Sequence, residues 1–254
     1  MRPSLFEIRN AQQLLAKYFL PTPLQYAAAL STNGAEVFLK LEIGLPTGSF
    51  KPRGALYSLA ANLSKRNIIE VTASSTSNHG AAVAWAAKTV GIAATIFLPA
   101  NPNPVKLQKI VDLGARIVEA GGPDLVHAFL QAQEYSARPG VYFLNDATDA
   151  DLPAGPATIG LEILAQLPPV AAIYVPMGDT ASIRGIGAAI KPANHRSKSS
   201  ACKPNARPAT ICRGKRAWRS PRILAILAPT GLRRAHPNPK TSKPSARSWM
   251  MSSR

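Results

Sequence analysis

At 254 residues, 46% of them hydrophobic, the chain is long enough to bury the core of one large or two small domains, and no apolar run reaches the ~18–20 residues that span a bilayer. The formal net charge of +17 is lopsided: residues 1–191 carry 15 Lys/Arg against all 13 Asp/Glu, and residues 192–254 carry the other 15 Lys/Arg, no acid and 8 of the 23 prolines. A nucleic-acid surface spread through the whole chain is therefore excluded, and so is a disulfide framework, because both cysteines, Cys202 and Cys212, lie in the basic segment.

The chain opens Met-Arg-Pro-Ser and soon reaches Glu7 and Arg9, unlike a signal peptide, so a cytoplasmic location is expected. Apolar positions recur at helical spacing over 5–18, and 20–24, with Pro21 and Pro23, predicts an extended link. Alternation over 36–42 predicts a strand. A Gly/Pro loop at 44–48 leads to a helix over 53–62, with Pro52 in the first turn, where a helix tolerates proline. A strand over 67–72, a small-residue loop over 73–80, an Ala-rich helix to Val90 and a strand over 93–98 follow. Next come a helix over 105–113, a strand over 115–119, a helix over 124–136 and a strand over 140–144. A helix over 157–167, a strand over 170–176, a loop from Gly178 and a helix over 182–191 complete the alternation.

Repeated strand–loop–helix units with short apolar strands imply an α/β fold on a parallel sheet. Ligands in such sheets sit beyond the carboxyl ends of strands, in loops that enter helices. Three small-residue loops hold that position: 44–51, 73–80 and 177–182.

The octapeptide Gly48-Ser49-Phe50-Lys51-Pro52-Arg53-Gly54-Ala55 carries the most chemistry. A nucleophilic lysine must shed its proton near neutral pH, aided by desolvation or a neighbouring cation such as Arg53. A solvated surface lysine is the plainer alternative, but a helix N-terminus disfavours a cation. Ser75-Thr76-Ser77-Asn78-His79-Gly80 follows a strand and opens a helix, where free backbone amides bind anions. Taken alone, an N-capping cluster is the commoner meaning of such residues. Gly178-Asp179-Thr180-Ala181-Ser182 also precedes a helix and offers amides to an anion, although a carboxylate at Asp179 repels a phosphate unless it points away. Arg53 is expected to pair with an acid. Asn145-Asp146, Asp149 and Asp151 resemble a metal cluster on paper but are expected to form a turn, and no His/Cys spacing suggests zinc.

The octapeptide, together with Leu20-Pro21-Thr22-Pro23-Leu24, the segment Phe38-Leu39-Lys40-Leu41-Glu42 and the Asn-His loop, resembles the fold-type II pyridoxal-phosphate enzymes. The likeness is to threonine and serine dehydratases and serine racemase, and runs in order over about 17–191. The resemblance implies two open parallel-sheet domains of the tryptophan synthase β-like type. A larger cofactor domain would comprise 1–45 and 142–191, and a smaller α/β domain 46–141. It implies that Lys51 holds pyridoxal 5'-phosphate as a Schiff base and that Asn78 contacts the ring hydroxyl. Gly178, Asp179, Thr180, Ala181 and Ser182 would cradle the phosphate. Ser75, Thr76, Ser77 and His79 would bind the substrate carboxylate; Ser77 stands where the common family pattern has glycine.

The implied reaction is α,β-elimination of ammonia from L-threonine or L-serine, giving 2-oxobutanoate or pyruvate. Racemases and 3-hydroxyaspartate dehydratases use the same scaffold. The family is usually homo-oligomeric, acts on a small hydroxy amino acid, and implies no metal, membrane or specific nucleic acid.

Beyond 191 the alternation stops. Residues 192–254 are expected to form a disordered basic tail, the one place where a nucleic-acid reading survives. A register slip near His195 is a further expectation. Codons read two bases later permit I-K-I-I-G-V-Q across 197–203, E-R-A-P-G-Y-Y-L-S-W-K-A-G across 205–217 and V-D-D-V-V across 249–253. A dehydratase-like chain needs a hydrophobic strand and an acid-containing segment in that region. On this view the native end is replaced and truncated, and the chain as written is expected to be poorly stable, with little or no turnover.

Overall fold

Ser4 starts the first helix: its hydroxyl accepts from the Glu7 amide at 3.2 Å while the Glu7 carboxylate accepts from the Ser4 amide at 2.6 Å, a reciprocal capping box. Helix α1 (Leu5–Leu15) turns Ile8, Ala11 and Leu15 inward. The computed structural model to which it belongs describes residues 2–75, 77–122, 124–167, 170–176, 178–193, 198–202 and 222–227.

Strand β1 (Leu24–Tyr26) pairs antiparallel with β2 (Ala35–Lys40), and helix α2 (Lys51–Leu63) follows. Strand β3 (Glu70–Ser74) then leads to α3 (Asn78–Val90), which Gly91 stops at φ 79°, a left-handed conformation that suits glycine. Strand β4 (Ala93–Leu98), helix α4 (Pro104–Asp112), strand β5 (Arg116–Glu119) and helix α5 (Leu125–Tyr135) repeat the unit. Asn103 and Asp124 cap α4 and α5 with their side chains. Strand β6 (Val141–Phe143), helix α6 (Ala154–Gln166), strand β7 (Ala172–Pro176) and helix α7 (Ala181–Ala193) come next. Two further strands are β8 (Lys198–Cys202) and β9 (Arg222–Leu227).

The strands form two sheets. One has the order β5-β4-β3-β6 and is parallel throughout. The other has the order β1-β2-β9-β7-β8 and is parallel except for the β1–β2 edge pair. The expected α/β architecture on parallel sheets is therefore present, with one antiparallel edge that the sequence reading does not anticipate. The boundary expected between 141 and 142 falls inside β6, which belongs to the four-stranded sheet.

Several expectations shift in detail; the helix expected over 157–167, for example, begins at Ala154. Helix α2 begins at Lys51 rather than 53, so the candidate nucleophile is itself the first helical residue. Strand β3 begins at 70 rather than 67, after the Ile69 and Glu70 amides have both turned to the Gly140 carbonyl. Residues 198–202 and 222–227 form strands, in the region where the sequence reading expects a disordered tail over 192–254. The run Ile223-Leu224-Ala225-Ile226-Leu227 is apolar enough for a strand inside a sheet. The remainder of the tail, His195 included, lies outside the described residues.

The main core lies between α2, α3 and the four-stranded sheet. Alanines 81, 82, 84, 86 and 87 of α3 are buried, so that helix packs with small side chains close to Leu56, Leu59, Val71 and Ile96. Burying a leucine of this kind stabilises the fold by about 1.5–3 kcal/mol. A second cluster, Ile159, Ile163, Ile173, Val175, Ile186 and Ile190, glues α6 and α7 to β7. Two close approaches lock the helices together. A Cβ on Gly155 would lie 2.2 Å from the Arg53 carbonyl, and one on Gly185 would lie 2.1 Å from the Pro153 carbonyl.

Candidate active site

The loops that leave β3, β6 and β7 meet at the start of α2. Lys51 is the first residue of that helix, and its Nζ donates to Asp146 Oδ2 at 2.5 Å and lies 3.3 Å from Asp179 Oδ2. Asp146 follows β6, and Asp179 lies just before α7. His79, in the first turn of α3, brings its Nδ1 to 3.7 Å from the same Asp146 oxygen. Three helix N-termini thus converge on one point beyond the carboxyl ends of parallel strands, the place where the sequence pattern puts a ligand.

A cation at the first position of a helix opposes the helix dipole. The two carboxylates offset that cost, and the Phe50 ring lies 5.7 Å from Lys51 Nζ. The Lys51 side chain keeps 17% of its surface exposed, enough for an approaching ligand to reach the amine. Burial alone would raise the Asp146 carboxyl. The charge and hydrogen bond of Lys51, joined by the charge of His79 wherever that ring takes up a proton, outweigh it and hold Asp146 down at about 2.

His79 is fully inside. Burial pushes its imidazole below the ordinary histidine range, against the pull of Asp146, so the ring is neutral at neutral pH. Its Nε2 sits 2.9 Å from the Leu144 carbonyl, which can only accept, so Nε2 carries the hydrogen. Among the described residues Nδ1 has no hydrogen-bond partner, and it is a buried acceptor aimed at the cluster. A buried polar atom of this kind calls for a donor from something bound there.

The two loops expected to bind anions also lead into helix starts. Ser75 is buried, and its hydroxyl accepts from the Ser77 amide at 3.2 Å. Asn78 opens α3 without a side-chain cap, leaving the first amides of that helix to other partners. Gly178, Asp179 and Thr180 are exposed, and Ala181 and Ser182 are buried at the start of α7. Thr180 has φ 67°, a left-handed backbone unusual outside glycine that turns the chain into the helix. Thr76 and Met177 lie outside the described residues. Arg184 of α7 donates to the Ala147 carbonyl at 3.0 Å and so ties the loop after β6 to the loop after β7.

Behind Lys51 lies a buried ionic network. Arg53 donates from Nε and Nη2 to the two oxygens of Glu42 and from Nη1 and Nη2 to the two oxygens of Glu162. Lys40 donates to the Thr22 carbonyl and Gln166 Oε1, and it pairs with Glu162 at 2.6 Å. The network joins the 20–24 link, β2, the segment after it, α2 and α6, and it fixes the first turn of α2 on which Lys51 stands. The expected acid partner of Arg53 is thus two acids.

Asp146 is the site residue that the sequence reading missed. Its stretch forms the turn that the sequence predicts: Asn145 Oδ1 accepts from the amides of Ala147 and Thr148, and Asp149 Oδ1 from those of Asp151 and Leu152. The same turn delivers Asp146 to Lys51. No spacing rule links residues 95 positions apart. Among the described residues no group of three or more His, Cys, Asp or Glu is placed to hold a metal ion, and no helix is long and apolar enough to cross a membrane.

A group that brings an aldehyde and a phosphate fits these residues. Lys51 offers the amine, the start of α7 offers amides and the Ser182 hydroxyl, and His79 Nδ1 offers an acceptor still lacking its donor.

The family described as "Pyridoxal-phosphate dependent enzyme" matches residues 15–236. The L-threonine ammonia-lyase of Thermotoga maritima is 38% identical over 198 residues, 75% of this chain and 48% of that protein. The catabolic L-threonine dehydratase of Staphylococcus aureus is 34% identical over 194 residues, 75% of this chain and 56% of that protein. Among solved structures, maize serine racemase aligns with a TM-score of 0.75 at 28% identity, over 81% of this chain and 62% of that one. A pyridoxal 5'-phosphate-dependent aspartate racemase aligns with a TM-score of 0.74 at 28% identity, over 78% of this chain and 62% of that one. The chain spans about half the length of the curated relatives it matches.

Proposed function

Because this chain belongs to the family of pyridoxal-phosphate dependent enzymes, we propose that it is built to remove ammonia from a small hydroxy amino acid, L-threonine or L-serine, by α,β-elimination to 2-oxobutanoate or pyruvate. The observation that carries the proposal is the position of Lys51: first residue of α2, facing the starts of α3 and α7, in a chain 38% identical to a threonine ammonia-lyase.

Pyridoxal phosphate, when bound, supplies an aldehyde for the lysine and a ring that withdraws electrons from the α-carbon. Lys51 would hold it through Nζ, and the same nitrogen would take the α-proton of the substrate. The amides at the start of α7, with Gly178, Asp179, Thr180, Ala181 and the Ser182 hydroxyl around them, hold the phosphate. Asn78 orients the ring through its hydroxyl. Ser75, Thr76, Ser77 and the backbone at His79 bind the substrate carboxylate and set the α-hydrogen toward Lys51.

Purified protein given pyridoxal phosphate and threonine or serine should release oxo acid and ammonia, and Lys51→Ala should release neither. Oxo-acid release that persists without Lys51 would sink the proposal. The likeness to serine and aspartate racemases favours a second reading, stereochemical inversion on the same lysine. Chiral analysis of recovered serine, with 3-hydroxyaspartate as a parallel substrate, separates the readings. The assembly is proposed to be a homo-oligomer and its place the cytoplasm.

A further inference from the structure

Asp146 touches the atom that would do the chemistry. Its Oδ2 lies 2.5 Å from Lys51 Nζ, and both side chains are largely shielded, at 17% and 14% exposure. The other groups facing Nζ are weaker partners: Asp179 stands farther off at 3.3 Å and is 49% exposed, and the Phe50 ring is 5.7 Å away. His79 does not compete as a donor for the Asp146 oxygen, because its one hydrogen is on Nε2 and directed to the Leu144 carbonyl.

We propose that Asp146 is a catalytic residue of the elimination: a fixed carboxylate that stabilises the Lys51 ammonium formed when Nζ takes the α-proton. The inference rests on the function proposed above. In that step the α-carbon–hydrogen bond breaks, its electron pair remains with the substrate, and a nitrogen–hydrogen bond forms on Nζ. Neutral amine becomes ammonium. Asp146 stays ionised throughout and exchanges no proton, consistent with a carboxyl held at about 2. A carboxylate already in place where positive charge develops lowers the barrier without reorganising, and partial burial strengthens the effect. The turn residues Asn145 and Asp149 hold the loop, and Arg184 pins it to α7, so the carboxylate is presented on a braced support.

The test has two arms of opposite sign. In the cofactor-free protein, Lys51 is labelled by a small neutral acylating reagent at pH 7 and read by mass spectrometry, with the exposed Lys17 and Lys88 as references in the same chain. Asp146→Asn keeps the shape but removes the carboxylate charge that Lys51 Nζ contacts at 2.5 Å. Labelling of Lys51 relative to the two references should rise about 10-fold, while Asp146→Glu should keep it near the original rate. With cofactor and threonine, Asp146→Asn should lower turnover about 100-fold and enlarge the isotope effect from α-deuterated substrate. A merely structural role would not raise labelling of one lysine while slowing α-proton removal. Unchanged or slower labelling in Asp146→Asn overturns the inference, and so does turnover equal to that of the original chain. If labelling rises but the original chain releases no oxo acid, the hold of Asp146 on Lys51 stands and the elimination reading falls.

Discussion

Arg53 meets Glu42 through two hydrogen bonds, Nε to Oε2 at 2.8 Å and Nη2 to Oε1 at 3.1 Å, and neither side chain reaches solvent. A bidentate pair without water around it is strong only while both members are present. Replacing Arg53 by Met strands two carboxylates, Glu42 and Glu162, and leaves only Lys40 to balance them. The expected loss is about 3–5 kcal/mol in urea unfolding. Glu42→Gln should cost less, because Glu162 still faces the guanidinium. Equal losses from the two substitutions would contradict this account of the network.

Lys51→Ala should abolish the absorbance of lysine-bound cofactor while leaving the far-ultraviolet circular dichroism unchanged, since alanine suits the start of α2. Retention of a borohydride-stable adduct in this variant would show that a different lysine is used.

Acid should unfold the protein in two stages. His79 has its folded-state pKa lowered by burial, so the unfolded chain takes up a proton first. Stability is full above the ordinary histidine value of ~6.5 and falls as pH drops below it. Asp146, at about 2, and Glu162, lowered by Arg53 and Lys40 against its burial, contribute stability above the ordinary carboxylate range. That contribution is lost as pH falls from ~4.5 toward 2. Thermal midpoints recorded from pH 8 to 2 should show both limbs. His79→Gln should remove the upper limb, and Asp146→Asn should shrink the lower one.

Gly155→Ala and Gly185→Ala should each destabilise by about 3 kcal/mol or prevent soluble expression, because the added methyl meets a backbone carbonyl at 2.2 and 2.1 Å. Gly34→Ala, with open space around the new atom, is the control and should stay close to the original chain in urea midpoint.

The extent to which the sequence disclosed the molecule follows the range of the interactions. Strand β4 is readable to the residue because 93–98 is a short apolar run between a glycine and a proline. The lysine loop is readable because its chemistry lies in eight adjacent residues. Asp146 is not, because its meaning depends on β6 and α2 lying side by side, which only tertiary packing creates. The antiparallel β1 escaped for a related reason: Leu24-Gln25-Tyr26 is too short for alternation to register. Strand β9 is hard to read from the sequence although Ile223 to Leu227 is apolar, because the surrounding arginines and prolines dominate the local composition. Residues Lys198-Ser199-Ser200-Ala201-Cys202 give β8 no pattern at all, and its place beside β7 comes from the ladder.

Among the described residues strand β9 is last in chain order, yet it lies between β2 and β7 in its sheet. A nascent chain must therefore be synthesised past residue 227 before that sheet can close. Until then the ribosome-bound protein carries two parallel strands with bare edges, separated by a gap one strand wide. Closing that gap is a long-range event that local helix formation cannot hasten, and the bare edges invite pairing with a second chain. The yield of soluble protein should consequently be set more by the pace at which the C-terminal segment is delivered, and by chaperones that shield the open slot, than by the stability of the finished fold.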